Sequence, residues 1–571
     1  MTNYKTIACD ILIIGAGGAG LRAAIAAHNA GAKVIVISKT LLGKSHTVMA
    51  EGGINAALGN VDSKDNWMVH FRDSMIEGQF LSDYRMVEIL TQEAPERVKE
   101  LEYWGAVFDR TQEGKIMQRA FGAHTYRRTC HVGDRIGLEI MQTLKDQIVH
   151  KNIEIIEEVL ITNLIVKNNH VLGAIGVELR SGKSVFFKSK AIIMATGGCG
   201  RVFKITSNSW EAIGDGVAIA YRAGAEIIDM EMIQFHPTGM VWPENVRGML
   251  VTESVRGEGG WLLNNKNERF MKKYEPKRME LGPRDVVARA VYNEIEMGRG
   301  TEHGGVYLDI SHMGKDFIEH KLPRMVAQFK EFAEIDITKE KMEVAPTVHY
   351  MMGGIRVDSE NSMSSVNGLF AAGECVGGVH GANRLGGNSL ADILVFGKRA
   401  GEFAALYVEN IEFKESDRED MAREFERVLI PFKNKTDIKP QMLKKRIQDI
   451  MWEHVGIMRN EERLLKALKE IEEINFLSKK ISVAGDLKYN HEWIDAMDVQ
   501  NMALVCEMMI RSALYRKESR GAHYRSDFPK KDDRNWLVNV VCKNIRGVMK
   551  LSKSKVPEMP SNLKKLLVEK S

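Results

Sequence analysis

Cysteine is scarce. Only six occur in 571 residues, and no two of Cys9, Cys130, Cys199, Cys375, Cys506 and Cys542 fall in a C-x-x-C arrangement. That spacing excludes an iron–sulfur cluster or structural zinc built by this chain alone, so no metal ligands are expected. Sparse, scattered cysteines fit a reducing compartment. Long apolar runs are also missing: none approaches the ~18 residues that span a bilayer, so any membrane link goes through a partner. Asp10 interrupts the first segment, which passes directly into a strand, unlike a signal peptide. Charge of one sign is lacking too. With 80 basic and 76 acidic residues the net charge is +4, and aromatics do not interleave with basic runs, so nucleic acid is not an expected partner. There are no internal repeats. What remains is an ordinary globular composition, 44% hydrophobic and 27% charged, at a length that predicts about three or four domains.

The chain begins with a strand–turn–helix–strand pattern. Ile11 to Ile14 read as a strand, followed by Gly15, Ala16, Gly17, Gly18, Ala19 and Gly20, then the Ala-rich "LRAAIAAHNAGA", which Gly31 closes. "KVIVISK" is a β-branched strand. Between about 150 and 190, short apolar runs separated by polar turns predict an antiparallel meander inserted into this first domain. "KAIIMATGG" (190–198) predicts a strand returning to the sheet, as does "GLFAAGE" (368–374). Residues 236–349, rich in Gly, Arg and His, predict a separate lobe. Helical periodicity dominates from about 406 to 530, and a lysine-rich stretch from about 536 predicts a short terminal domain with a loose tail.

G-x-G-x-x-G between a strand and a helix is a dinucleotide fingerprint. The first Gly makes the turn, the second lets backbone approach a pyrophosphate, and the third lets helix and strand pack, with the helix N-terminus facing the phosphates. An NAD site carries an acid about 20 residues on; here Ser38-Lys39 stand there, and Lys39 suits the extra phosphate of NADP. "ATGG" (195–198) and "SVNGLFAAGE" (365–374) tip the reading to FAD, with Glu374 accepting hydrogen bonds from sugar or ribityl hydroxyls. One stretch is harder to place. "GKSHTVMAEGG" (43–53) sets His46 in a glycine-flanked loop beside this cofactor, where a lone histidine is ordinarily a surface or core residue.

The pieces "GAGGAG", "SHTVMAEGG", "QFHPTG", "TESVRGEGG", "PRDVVAR", "PTVHYMMGG", "AAGE", "HGANRLGGNSL" and "ESRGAHYR" occur in one order along nearly the whole chain. Together they resemble the flavoprotein subunit of succinate dehydrogenase and fumarate reductase. The resemblance implies an α/β and α+β multidomain chain. Its parts are a Rossmann-like FAD-binding domain (1–235 plus 350–405), an inserted capping domain (236–349), a helical domain (406–535) and a small C-terminal domain (536–571). It implies FAD joined through its 8α carbon to His46. An attached imidazolyl group withdraws electron density and raises the flavin potential, as oxidation of a weak reductant such as succinate requires.

The resemblance also implies the substrate ligands His236, Thr252, His349 and Arg384. A C4 dicarboxylate needs fixed donors at both ends, and Arg384 suits a bidentate grip. Arg284 matches the proton shuttle, with Glu253 and Arg256 as its relay. An arginine resists losing its proton; a neighbouring cation easing release and Glu253 exchanging protons answer that objection, the alternative being a purely electrostatic Arg284. The cofactor contacts implied are Gly15 to Gly20, Ser38, Lys39, Ser45, His46, Thr47, Gly52, Gly53, Asp215, Glu374, Ser389 and Leu390. Glu51 stands where dehydrogenases of the family often have Gln and some fumarate reductases Glu. Ser526 stands where an acid is common, which puts one local contact in doubt. The expected partners are an iron–sulfur subunit, then, through it, membrane anchor subunits and a quinone, on the cytoplasmic face of the cell membrane. Two rival readings are L-aspartate oxidase, which lacks the flavin-linking histidine, and a non-catalytic flavin-binding protein, which has little use for His236, Glu253, Arg284, His349 and Arg384 together.

Overall fold

The structure, a computed structural model, describes residues 4–414 and 418–568. Its first layer is built on β1 (Lys5–Ile14), α1 (Gly18–Asn29) and β2 (Val34–Ile37). β1 lies centrally and parallel to its neighbours, which is why Ile11 to Ile14 are apolar without alternation. The seven-stranded sheet runs β3 (Glu154–Ile156), β2, β1, β6 (Lys183–Met194), β5 (His170–Glu178), β4 (Val159–Lys167), with Leu369–Ala371 pairing β6. The expected meander is therefore not a separate insertion. β4 and β6 each pair β5 in antiparallel fashion, but β6 is long enough for its length also to pair β1 in parallel, from Lys5–Val185 to Ile14–Met194. The meander's last strand and the returning strand are one.

Between β2 and β3 stands helix α2 (Trp67–Glu77), capped by the Asn66 side chain, which accepts from the N–H groups of Met68 and Val69. Beyond β6 the chain leaves the sheet into a second core, from Met240 to Val344. Here β7 (Ile233–Met240), β10 (Met342–Met351), β9 (Val306–Asp309) and β8 (Trp261–Leu263) form an antiparallel sheet in that order, beside α3 (Arg284–Glu294) and α4 (Pro323–Ala333). β7 is an edge strand, which accommodates Pro237 at the register shift between His236 and Gly239.

The chain then returns as α5 (Asn388–Glu409), so the expected boundary at 405/406 falls inside one helix. Glycines make its contact with α1 close: a Cβ on Gly401 would lie 2.3 Å from the Ala23 carbonyl oxygen, and one on Gly397 2.8 Å from that of Ala19. This packing fixes the α5 N-terminus over the turn after β1. Helices α6 (Arg418–Lys433), α7 (Pro440–Val455), α8 (Glu461–Ser478) and α9 (His491–Tyr515) follow, their apolar faces continuous with the main core.

The lysine-rich end differs from expectation. The hairpin of β11 (Val538–Ile545) and β12 (Val548–Lys555) does not stand alone, because Ile227–Ile228 pairs β11 and carries it into a five-stranded sheet with Gly354–Arg356 and Val376–Gly377. Nor is the segment after it loose: α10 (Ser561–Leu566) packs Leu563 against Phe71, Met75 and Val87. Residues 569–571 of the expected tail lie outside the described residues. Among the described residues, no helix is long and apolar enough to cross a membrane.

Candidate active site

A cavity of about 480 Å³ lies where the first layer meets the second core, within the ~300–1,000 Å³ usual for ligand sites. Its wall takes Gly15, Ala16, Gly17, Gly18 and Ala19 from the turn after β1, and Ser38 and Lys39 from the end of β2. Ser45, His46, Thr47, Gly52 and Gly53 come from the following loop. His236, Thr252, Glu253, Arg284 and His349 come from the second core and its sheet, and Glu374, Arg384, Ser389 and Leu390 from the returning chain. Of the residues singled out in the sequence, Gly20, Asp215 and Arg256 are not on this wall. Gly20 stands at the helix–strand crossing, where an added Cβ would lie 1.8 Å from the Gly15 carbonyl oxygen.

The nucleotide end suits a dinucleotide. Gly15 has φ +115° and no room for a side chain, with Ala195 O 2.2 Å from a built Cβ. Helix α1 has neither a capping side chain at Gly17 nor an acid in its first turn, which leaves its N-terminus to an anion. Thr196 Oγ1, on the same wall, is buried without a hydrogen-bond partner among the described residues. Lys39 does not offer itself to a 2′-phosphate. Its Nζ is 2.8 Å from Asp498 Oδ1 on α9 and 3.7 Å from Asp215 Oδ2. Asp215 thus reaches the site through Lys39. Glu374 accepts from the Met351 N–H at 3.0 Å, and burial pushes its carboxyl up to about 7.

His46 opens a single helical turn, His46–Met49. It is half-buried and held from two sides: the Ser209 N–H donates to Nδ1 at 3.2 Å, and Asn208 Nδ2 lies 3.3 Å from Nε2 while donating to the His349 carbonyl at 2.9 Å. Burial lowers its pKa to about 4, so the ring is neutral at pH 7. Glu51, nearby and 3% exposed, reaches Arg324 Nε of α4 at 3.1 Å, and its Oε2 has no hydrogen-bond partner among the described residues. Burial, opposed by Arg324, raises its carboxyl to about 8.

The far end is a buried cluster of cations. His236 and His349 stand on β7 and β10, which pair with each other, and their rings lie 5.2 Å apart. Burial, then neighbouring arginines, holds both imidazoles well below their ordinary range and therefore neutral. Thr238 O and Ser207 Oγ engage the Nδ1 edges at 2.9 Å each, which fixes the ring orientations. Arg284 is the first residue of α3. Its Nη2 and Nε donate to Glu253 Oε2 at 2.6 and 2.9 Å, and its Nη1 to Gln234 Oε1 at 3.0 Å. Glu253 Oε1 accepts from the Gly122 N–H at 2.8 Å. Arg256 lies behind, its Nη2 3.9 Å from Glu253 Oε2. Burial alone would raise the Glu253 carboxyl, but Arg284 and Arg256 outweigh it and hold it far below the carboxylate range.

Arg384 is 2% exposed and has no carboxylate partner among the described residues. Its guanidinium lies 4.3 Å over the Tyr350 ring, Nη1 donates to Ser389 Oγ at 3.2 Å, and Nε is unpartnered there. Burial, reinforced by repulsion from Arg284, lowers it to about 9. Three arginines held around one bonded carboxylate leave a positive excess that suits a dianion. Gln234, Asn208, Ser209, Gly122 and Tyr350 hold these side chains and were missed in the sequence. Only Gln234 and Tyr350 had a signal, lying inside "QFHPTG" and "PTVHYMMGG". Ser526, in place of the common acid, keeps a contact to Arg459 O through its backbone N–H at 2.8 Å.

Comparison with known proteins agrees with this layout. A family model described as FAD binding domain matches residues 10–390, and one described as Fumarate reductase flavoprotein C-term matches residues 444–565. The chain is 48% identical over 531 residues to one of the subunits of the fumarate reductase (CoM/CoB) of Methanothermobacter marburgensis, covering 91% of this chain and 94% of that one. It is 38% identical to the succinate dehydrogenase flavoprotein subunit of Coxiella burnetii, covering 95% of each. Among solved structures, Mycobacterium smegmatis Sdh1 in complex with UQ1 superposes with a TM-score of 0.88 at 47% identity, over 97% of this chain and 96% of that one.

Proposed function

The chain belongs to the family of succinate dehydrogenase and fumarate reductase flavoprotein subunits, and from that premise we propose that it interconverts succinate and fumarate in this cavity, with FAD attached through His46. The observation that carries the reading is the meeting of His46, His236, Thr252, Arg284, His349 and Arg384 on one cavity wall from six separate stretches of chain. Bound there, FAD would supply the two-electron redox chemistry that the side chains lack.

The residues supply the rest. Arg384, lacking a carboxylate of its own, grips one substrate carboxylate, and Thr252 with the two histidines holds the other. The second hydrogen of the pair leaves as a proton, which Arg284 accepts or delivers while Glu253 and Arg256 hold its charge balance. Burial excludes water, so each of these contacts acts at low dielectric. On this reading residues 236–349 are the capping domain that carries Arg284 to the FAD-binding domain, 1–235 plus 350–405. The helical segment 406–535 and the terminal segment 536–571 buttress that domain.

Electrons leave through partner subunits. No helix among the described residues is long and apolar enough to span a membrane, and none of their His, Cys, Asp and Glu side chains cluster to hold a metal. Its family membership supports a place for the chain at the cytoplasmic face of the membrane, on an iron–sulfur subunit that leads to anchor subunits and a quinone. A second electron partner is favoured by a specific observation: the 48% identical relative is named a CoM/CoB fumarate reductase.

The test supplies the FAD-loaded chain with succinate and a dye acceptor, fumarate and a reduced dye, and aspartate. Turnover of the first two is expected, and turnover of aspartate alone would overturn the reading. With partner subunits added, quinone reduction or CoM/CoB oxidation decides the electron partner.

A further inference from the structure

Glu77 is a carboxyl in an adverse place. It is the last residue of α2, 4% exposed, and within salt-bridge distance of no cation among the described residues. A negative charge at a helix C-terminus faces the carbonyl end of the dipole. Its Oε1 accepts from Asn383 Nδ2 at 2.7 Å, and that same nitrogen donates to Asp285 Oδ1 at 3.0 Å, so two carboxyls meet at one donor. Asp285 is balanced through its other oxygen by Arg289 at 2.6 Å. Glu77 has no such balance.

The surroundings give this arrangement a purpose. Asn383 precedes Arg384, and Asp285 follows Arg284. Asn383 Oδ1 accepts from Gln234 Nε2 at 2.8 Å; the same Nε2 donates to Arg384 O at 2.8 Å, and Gln234 Oε1 accepts from Arg284. One residue earlier, the Ala382 N–H donates to Gly78 O at 3.0 Å, sewing the Arg384 loop to the end of α2. We propose that Glu77 and Asn383 form a positioning pair that sets Arg384 and Arg284 at the spacing a dicarboxylate requires. The inference rests on the functional reading above and extends it to residues that touch neither substrate nor FAD.

The pair works with Glu77 neutral. Burial first, then the neighbouring Asp285 and Glu253 charges, hold its proton far above the usual carboxylate range, against the weaker pull of Arg278 and Arg284. As pH rises and the proton leaves, a second negative charge faces Asp285 across the Asn383 amide, which gives one hydrogen to each carboxyl, and its attraction draws on Arg284. The dicarboxylate is then held less well.

The experiment measures succinate KM, kcat and the malonate Kd from the flavin spectrum, across pH, in the FAD-loaded protein. Glu77→Leu is expected to raise KM about tenfold with a smaller change in kcat, as loss of a ground-state contact does. Glu77→Gln keeps a neutral amide of the same shape and is expected to restore KM to within about twofold of wild type. Glu77→Gln should also abolish the wild-type rise of KM and malonate Kd at alkaline pH. If Glu77→Leu loses its flavin, the Glu77→Gln pH profile decides alone. A Glu77→Gln profile that still rises in parallel with wild type overturns the proposal, as does an unchanged KM in folded Glu77→Leu. Wild-type protein that neither turns over succinate nor binds malonate overturns the functional reading, and this inference with it; normal wild-type kinetics with unmoved variants overturn only the pair.

Discussion

Replacing Arg384 by Met should move activity and stability in opposite directions. The guanidinium is 2% exposed with no carboxylate within reach among the described residues, and burial lowers its pKa from 12.5 to about 9. At 1.36 kcal/mol per pK unit that difference corresponds to roughly 4–5 kcal/mol of cost in the substrate-free fold, to order of magnitude. Met removes that cost but also loses the Tyr350 ring contact and the Ser389 bond, worth about 1–2 kcal/mol each. A net gain of about 0–3 kcal/mol remains. The sign with pH follows. Below about 9 the folded chain carries the charge at a penalty, so the gain of Met is full there; it fades as pH rises through about 9, where wild type sheds the proton. In catalysis the loss should reach about 10²- to 10⁴-fold in kcat/KM, since removing one partner of a buried charge pair costs about 3–5 kcal/mol. The assay is thermal and urea unfolding of wild type and Arg384→Met at several pH values, with succinate and fumarate kinetics on the same preparations. A variant less stable than wild type at neutral pH, or one within tenfold in kcat/KM, would refute the assignment of Arg384 as an uncompensated cation kept for substrate.

Other consequences are as direct. His46→Ser should keep FAD that acid denaturation releases entirely, and should lose succinate oxidation before fumarate reduction; protein-bound flavin after acid precipitation is the measurement, made on protein matured with its normal assembly factors. Arg284→Ala should retain flavin and lower both directions by more than tenfold, about 1.4 kcal/mol in barrier; a smaller loss in stopped-flow or steady-state rates removes it as the proton carrier. Glu51→Gln should raise the melting temperature. The folded carboxyl holds its proton to about pH 8, so the wild-type penalty grows from the ordinary carboxylate range up to about 8 and then levels. The difference between variant and wild type should follow that course.

Much of the site was legible because its chemistry is local in sequence. "GAGGAG" after a strand states a turn, a close approach and a helix start, and His46, His236, His349, Arg284 and Arg384 of the cavity each sit in a short recognisable stretch, whereas Arg324 does not. What was hidden depends on residues far apart in the chain. Lys39 reads as a phosphate ligand until Asp498, from another part of the chain, takes its charge. The second strand pairing of β6, the union of the terminal hairpin with Ile227–Ile228, and the α1–α5 contact made by Gly397 and Gly401 are of the same kind. Gln234 and Asn383 lie inside "QFHPTG" and "HGANRLGGNSL", but the hydrogen bond that makes them the link between two arginines spans 149 positions and is not written in either stretch.

The two halves of the cavity bear charge of the same sign, Arg284 with Arg256 behind it on one side and Arg384 on the other. Empty, they repel; a dianion between them is the counterion that balances both. Selectivity then begins before any carbon is touched, because a monoacid settles one side and leaves the other unbalanced. Substrate and product are both dianions, so this charge favours neither. A catalyst of that kind sets no direction of its own, and the potential of whatever exchanges electrons with it decides which way the reaction runs.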